Sequence, residues 1–300
     1  MRSMCIVMMV FLSVSVGGRA ALAQPTILGV GMDIMGRHSP ETVELPDGRT
    51  LQRIRASGIS LADDPTSPAH LTSQDCFGTV LLARDGSREA GRGYCEHRDA
   101  DGDLWWNSWT NGADEDTWSV LGGTGKFAGM KGGGTFAFVL ELPDGRSTIR
   151  WEALENPIEP TVAAAQLTMT GGGTITFGQN EPEMIALPNG RSLLRLRQSG
   201  ILLDDDPDSP FHLATQDCQA SMVVAADGST EITRGHCDSV DADGDIWWIS
   251  FLHTASGQTY ETPGGTGKFA GLEGRGTTAV QVQLPDGRST VRWDGRWQIP

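Results

Sequence analysis

The chain repeats itself. A shift of 142 positions lays Leu45-Pro46-Asp47-Gly48-Arg49 on Leu187-Pro188-Asn189-Gly190-Arg191, Cys76 on Cys218, Cys95 on Cys237 and Trp151 on Trp293. About 60 of the 107 positions from 45 to 151 match their counterparts without a gap. A unit this long exceeds a solenoid repeat and has the size of a domain, roughly 100–150 residues. The sequence therefore predicts two copies of one domain, over 24–151 and 168–300. Between them, 152–167 reads as a linker with two prolines and an alanine run.

Both copies read as antiparallel β. Turn dipeptides recur at Asp47-Gly48, Asp85-Gly86, Asp101-Gly102 and Asp144-Gly145, and again at Asn189-Gly190, Asp227-Gly228, Asp243-Gly244 and Asp286-Gly287. Short alternating or β-branched runs separate them, and no helical period of useful length appears beyond the N-terminus. Regularly spaced short strands with turn signals predict a sandwich or barrel. The expected fold class is all-β: two tandem antiparallel barrels of about eight strands each. The alternative is a single sheet shared between the copies.

Residues 1–23 read as a signal peptide. Arg2 opens the segment, an apolar run follows from Cys5 to Val16, and Ala21-Leu22-Ala23 offers a small-x-small cleavage site. The apolar run is too short to span a bilayer, so no membrane insertion is expected, and the mature chain is expected to be secreted or periplasmic. Removing Arg2 and Arg19 takes the net charge from −15 to −17. That charge argues against nucleic acid as a partner.

Cleavage after Ala23 leaves four cysteines, two per copy. In an oxidising compartment they are expected to pair. The repeat selects Cys76–Cys95 and Cys218–Cys237. Residues opposed across a two-residue hairpin turn share a constant sum of positions, and Cys76 and Cys95 have the same sum as Asp85 and Gly86. The second pair stands in the same relation to Asp227 and Gly228. One hairpin disulfide per copy follows.

Gly122-Gly123-Thr124-Gly125-Lys126-Phe127-Ala128-Gly129 recurs unchanged at Gly264 to Gly271. No helix signal follows either stretch, as a phosphate loop would need, and no cofactor is expected. The stretch resembles the glycine-rich hairpin of the allene oxide cyclase and dirigent barrels. The resemblance implies an eight-stranded antiparallel barrel with an interior cavity for small hydrophobic molecules. It carries over no catalytic position of those families. In the physical reading, the glycines permit sharp turns and Phe127 and Phe269 plug a barrel end.

Four sets of residues are candidates for chemistry. Trp105, Trp106 and Trp109 in copy one, with Trp247, Trp248 and Phe251 in copy two, are the candidate ligand-binding aromatics. Alternation on a strand sends Trp105 and Trp109 to one face and Trp106 to the other, so the rings either line a cavity or fill a core. Arg53, Arg55, Arg195 and Arg197 either hold an anionic group inside the barrel or lie on a solvated outer face. His70 and His212, each in an Asp-Asp-Pro-x-Ser-Pro loop, are candidate acid–base groups or structural histidines. Asp99, Asp101 and Asp103, with Asp241, Asp243 and Asp245, form a weak calcium candidate that lacks the EF-hand glycine and final glutamate; otherwise no metal is expected.

Three functions follow as expectations: an exported barrel protein binding a small hydrophobic or aromatic molecule; a cofactor-independent isomerase or cyclase, which the resemblance to the allene oxide cyclases implies; and a structural or interaction protein with filled barrels. His97/Ser239, Asn107/Ile249 and Trp109/Phe251 differ between the copies, which points to two ligand preferences or one active copy. Oligomeric state is left open.

Overall fold

The computed structural model describes residues 25–36, 38–112, 114–154, 169–178 and 182–299. The expected signal peptide and most of the expected linker lie outside the described residues. The first copy contains β1 (Gly29–Met35), β2 (Glu41–Glu44), β3 (Thr50–Ala62), β4 (Thr72–Leu82), β5 (Arg88–Arg98), β6 (Leu104–Asn111), β7 (Asp116–Gly123), β8 (Gly133–Glu141) and β9 (Ser147–Ala153). The second contains β10 (Met169–Phe177), β11 (Glu183–Ala186), β12 (Ser192–Asp204), β13 (Ala214–Val224), β14 (Thr230–Val240), β15 (Ile246–Thr254), β16 (Gly257–Thr262), β17 (Glu273–Gln283) and β18 (Ser289–Gln298).

Each copy closes into its own eight-stranded antiparallel barrel. β1 pairs with β9 on one side and with the second half of β3 on the other, and β10 does the same with β18 and β12. Short β2 and β11 add to the first halves of β3 and β12. Closure removes the exposed edges that open sheets must otherwise protect. The repeat boundary moves slightly, because β9 runs to Ala153, beyond the expected limit at 151.

Cys76 lies opposite Cys95 and Cys218 opposite Cys237, with Cα separations of 4.0 and 4.1 Å, and both pairs are disulfide-bonded. The turn that sets this register is longer than a two-residue one. Ala83 N–H donates to the Ser87 carbonyl at 2.8 Å and Gly86 N–H to the Ala83 carbonyl at 2.9 Å. Gly86 carries the positive φ of +84° that this geometry needs. A bulge then leaves Glu89 unpaired, since Leu82 faces Arg88 but Leu81 faces Ala90. The extra turn residue and the bulge cancel, so the position sum names the right partners.

One end of each barrel is plugged. The glycine-rich stretches fold as short 3-10 turns over Gly125–Phe127 and Gly267–Phe269, and the two phenylalanines are 1% and 0% exposed. Phe127 packs with Trp105, Met130 and Ile27. Phe269 packs with Trp247, Phe211 and Leu272. Burying a ring of this size contributes about 1.5–3 kcal/mol.

The barrels lock together through a self-complementary surface. Arg53 reaches Asp217 at 2.5 Å and Asp238 at 3.0 Å, while Arg195 pairs with Asp75 and lies 3.1 Å from Glu96. Arg55 meets Glu183 at 2.6 Å, and Arg197 meets Glu41. Every one of these contacts has its counterpart 142 residues away. The apolar part is equally reciprocal: Leu104 and Trp106 pack on Leu187, Leu193 and Val223, and Ile246 and Trp248 pack on Leu45, Leu51 and Leu81. Trp248 Nε1 donates to Thr79 Oγ1 at 2.8 Å.

The Leu-Pro-x-Gly-Arg hairpin at the unplugged end of each barrel seats on the Asp-Gly turn at the plugged end of the other. Arg49 donates to the Gly244 carbonyl at 3.1 Å, and Pro188 lies against Gly102. A side chain at Gly102 would strike that proline, and its φ of +80° also favours glycine. The two barrels therefore run head to tail.

Candidate functional site

Each barrel encloses a cavity on the inner face of its strands, of about 450 Å³ in the first and 570 Å³ in the second. Both lie within the range of small-molecule sites. The first is lined by residues from the β8–β9 end, such as Glu141, and by Trp105 near the plug; the second runs from Leu284 and Pro285 to Phe211 and Trp247. The openings thus face the hairpin ends, away from Phe127 and Phe269.

Trp105 and Trp109 line the first cavity, and Trp247 and Phe251 line the second. Trp106 and Trp248 do not. Alternation turns them outward, and the neighbouring barrel covers them. Arg53 and Arg195 also point outward, and the acids of the facing barrel engage them; Arg55 and Arg197 pair at the same seam. None of the four arginines lines either barrel cavity, which corrects the interior alternative. The outer face that carries them is the seam between the barrels: Arg53 and Arg195 are largely buried in it, at 11% exposure, while Arg55 and Arg197, at 55% and 54%, stay solvated at its edge.

His70 and His212 lie in loops at the plugged ends, and neither lines a cavity. Their Nδ1 atoms bond the Ala62 and Asp204 carbonyls at 2.8 and 2.9 Å, which makes them loop-ordering groups. The aspartate turns are likewise occupied. Asp99 Oδ1 accepts from the amides of Asp101 and Asp103, and the Lys126 ammonium pairs with Asp99 and lies 3.1 Å from Asp101. Lys268 repeats this with Asp241 and Asp243. A lysine thus takes the place of the cation, and among the described residues no group of three or more metal-type side chains is arranged to hold a metal.

The two cavities differ in chemistry. On β1 the inward position is Asp33, whose carboxylate accepts from Gln74 Nε2 and from Trp151 Nε1, each at 3.2 Å. Burial pushes its carboxyl up to about 6, against hydrogen bonds from Ser60, Gln74 and Trp151. Beside it, His97 stacks on Trp105 with ring centroids 3.5 Å apart, and its Nε2 meets Asn107 Oδ1 at 2.6 Å. Burial pushes that imidazole down to about 3, so it is neutral near pH 7. At the same places the second barrel carries Ile175, Leu202 for Ser60, Ser239 for His97 and Ile249 for Asn107. Trp118 and Trp151 complete the first cavity, where four of that barrel's five tryptophans meet. Gln74 Oε1, Trp105 Nε1 and Asn111 Nδ2 are buried there without a partner.

Sequence reasoning missed Asp33, Ser60 and Gln74. The available signal was that Asp33 and Ser60 are replaced by Ile175 and Leu202 in the second copy; Gln74, matched by Gln216, carries no such signal. Comparison with family models, with curated proteins and with solved structures returns no match to this chain.

Proposed function

We propose that the chain is an exported small-molecule-binding protein in which each barrel holds one apolar or aromatic ligand. The observation that carries this reading is the pair of tryptophan-lined cavities, both kept open behind a filled end. Eight-stranded barrels are just wide enough either to fill with side chains or to hold one small ligand, and these two retain space. Two disulfides suit an oxidising compartment, and no described helix is long and apolar enough to cross a membrane. Binding is preferred over isomerisation because His70 and His212, the candidate acid–base groups, are turned to backbone carbonyls outside the cavities, and His97 inside the first is occupied by its stack on Trp105 and its bond to Asn107.

The test is a titration of the oxidised chain, residues 24–300, with prodan, a neutral dye that brightens on leaving water. Two equivalents per chain are expected. A properly disulfide-bonded chain that takes up neither this dye nor a small aromatic amine would sink the reading in favour of a structural role.

A further inference from the structure

Asp33 is a part-buried carboxylate, inward on the wall of the first cavity, without a cation. Glu96 and Asp238, the acids buried between the barrels, each meet an arginine at 3.1 and 3.0 Å. The three groups that hydrogen-bond Asp33 are all neutral. Among the described residues lining this cavity, the only arginine or lysine is Arg88, which pairs with Asp116 at 3.2 Å and lies over the Phe138 ring. A carboxylate partly withdrawn from water without a counter-charge favours any cation that can enter.

The surroundings narrow the class. Gln74 gives its N–H to Asp33, which leaves Oε1 unpartnered on a side chain only 4% exposed. Carboxylate and amide oxygen together ask for a ligand that donates more than one hydrogen bond. Trp109, Trp118 and Trp151 line the same space, and the faces of indole rings attract organic cations. The second barrel lacks the device, with Ile175 for Asp33, Phe251 for Trp109 and Tyr260 for Trp118.

We propose that the first barrel binds a protonated primary amine on a small apolar body, its ammonium group against Asp33 and Gln74 Oε1 and its body among Trp109, Trp118 and Trp151. The second barrel takes a neutral apolar ligand. This rests on the reading of the barrels as ligand cavities.

Calorimetry on the oxidised chain at pH 7.5 tests it, with phenethylamine against its neutral analogue 2-phenylethanol. One equivalent of the amine should bind, at least tenfold tighter than the alcohol. Asp33→Asn should weaken the amine at least tenfold and leave the alcohol unchanged. Equal affinities in the wild-type chain, two equivalents of amine, or an Asp33→Asn chain that keeps its amine affinity would each overturn the proposal. Prodan separates the two levels. Dye uptake without amine selectivity removes this inference alone, whereas no uptake of dye or amine removes the binding function too. If Asp33→Asn does not fold, the wild-type comparison of amine with alcohol decides.

Discussion

Asp33 and His97 respond to acid in opposite senses. The folded state holds the Asp33 proton up to about pH 6, against an ordinary value of 3.8, so the associated stability is present below about pH 4 and lost as pH rises through 6. His97 is held down to about 3 from 6.5, so its contribution is present above pH 6.5 and lost as pH falls towards 3. Asp33→Asn should therefore stabilise the chain at pH 7.5 by up to about 3 kcal/mol, taking 1.36 kcal/mol per unit, with no gain at pH 4. Thermal melts at both values check this, and an offset independent of pH would contradict it. His97→Gln should shrink the drop in melting temperature between pH 7 and pH 4. At this scale the sequence told that Trp105 and Trp106 face opposite ways, but not which way is in. That depends on closure and on a neighbouring barrel, neither of which leaves a mark in a period of two. Asp33, Ser60 and Gln74 come from three strands, and Asp33 lies before the strongly repeated stretch that begins at Leu45, so no local pattern joins them.

The elements were more legible. Turn dipeptides and thiol spacing placed the β4–β5 and β13–β14 hairpins, and the bulges at Glu89 and Glu231 restored the register that a simple turn would have set. The plug was legible too, because a repeated glycine-rich run around a lone phenylalanine leaves that ring little to do but fill space. Phe269 packs on Trp247 and Phe211 with centroids at 4.5 and 5.5 Å, and Phe269→Ala should cost about 3–5 kcal/mol. Urea unfolding measures it, and a loss below 1 kcal/mol would mean that the end is not held by the ring. Replacing Cys218 and Cys237 together by serine should cost about 2–4 kcal/mol by freeing the unfolded hairpin, again read from the urea midpoint.

At the scale of the molecule, the interface was hidden by its own symmetry. Arginines at Arg53 and Arg195 facing acids at Asp217 and Asp75 read, one copy at a time, as the mixed charges of a wet surface; only the head-to-tail packing makes them partners. Arg195→Ala strands Glu96, 2% exposed, without its counter-charge and should cost about 3–5 kcal/mol. Replacing both by methionine should recover most of that loss, as comparison of the two variants by urea unfolding would show. Because the seam is large and reciprocal, both barrels should melt in one transition when near-UV circular dichroism and tryptophan fluorescence are followed together. The same packing sets the two mouths on opposite sides of the molecule. On the function proposed above, a surface that meets the mouth of one barrel meets the filled end of the other, so the two cavities exchange their ligands in opposite directions.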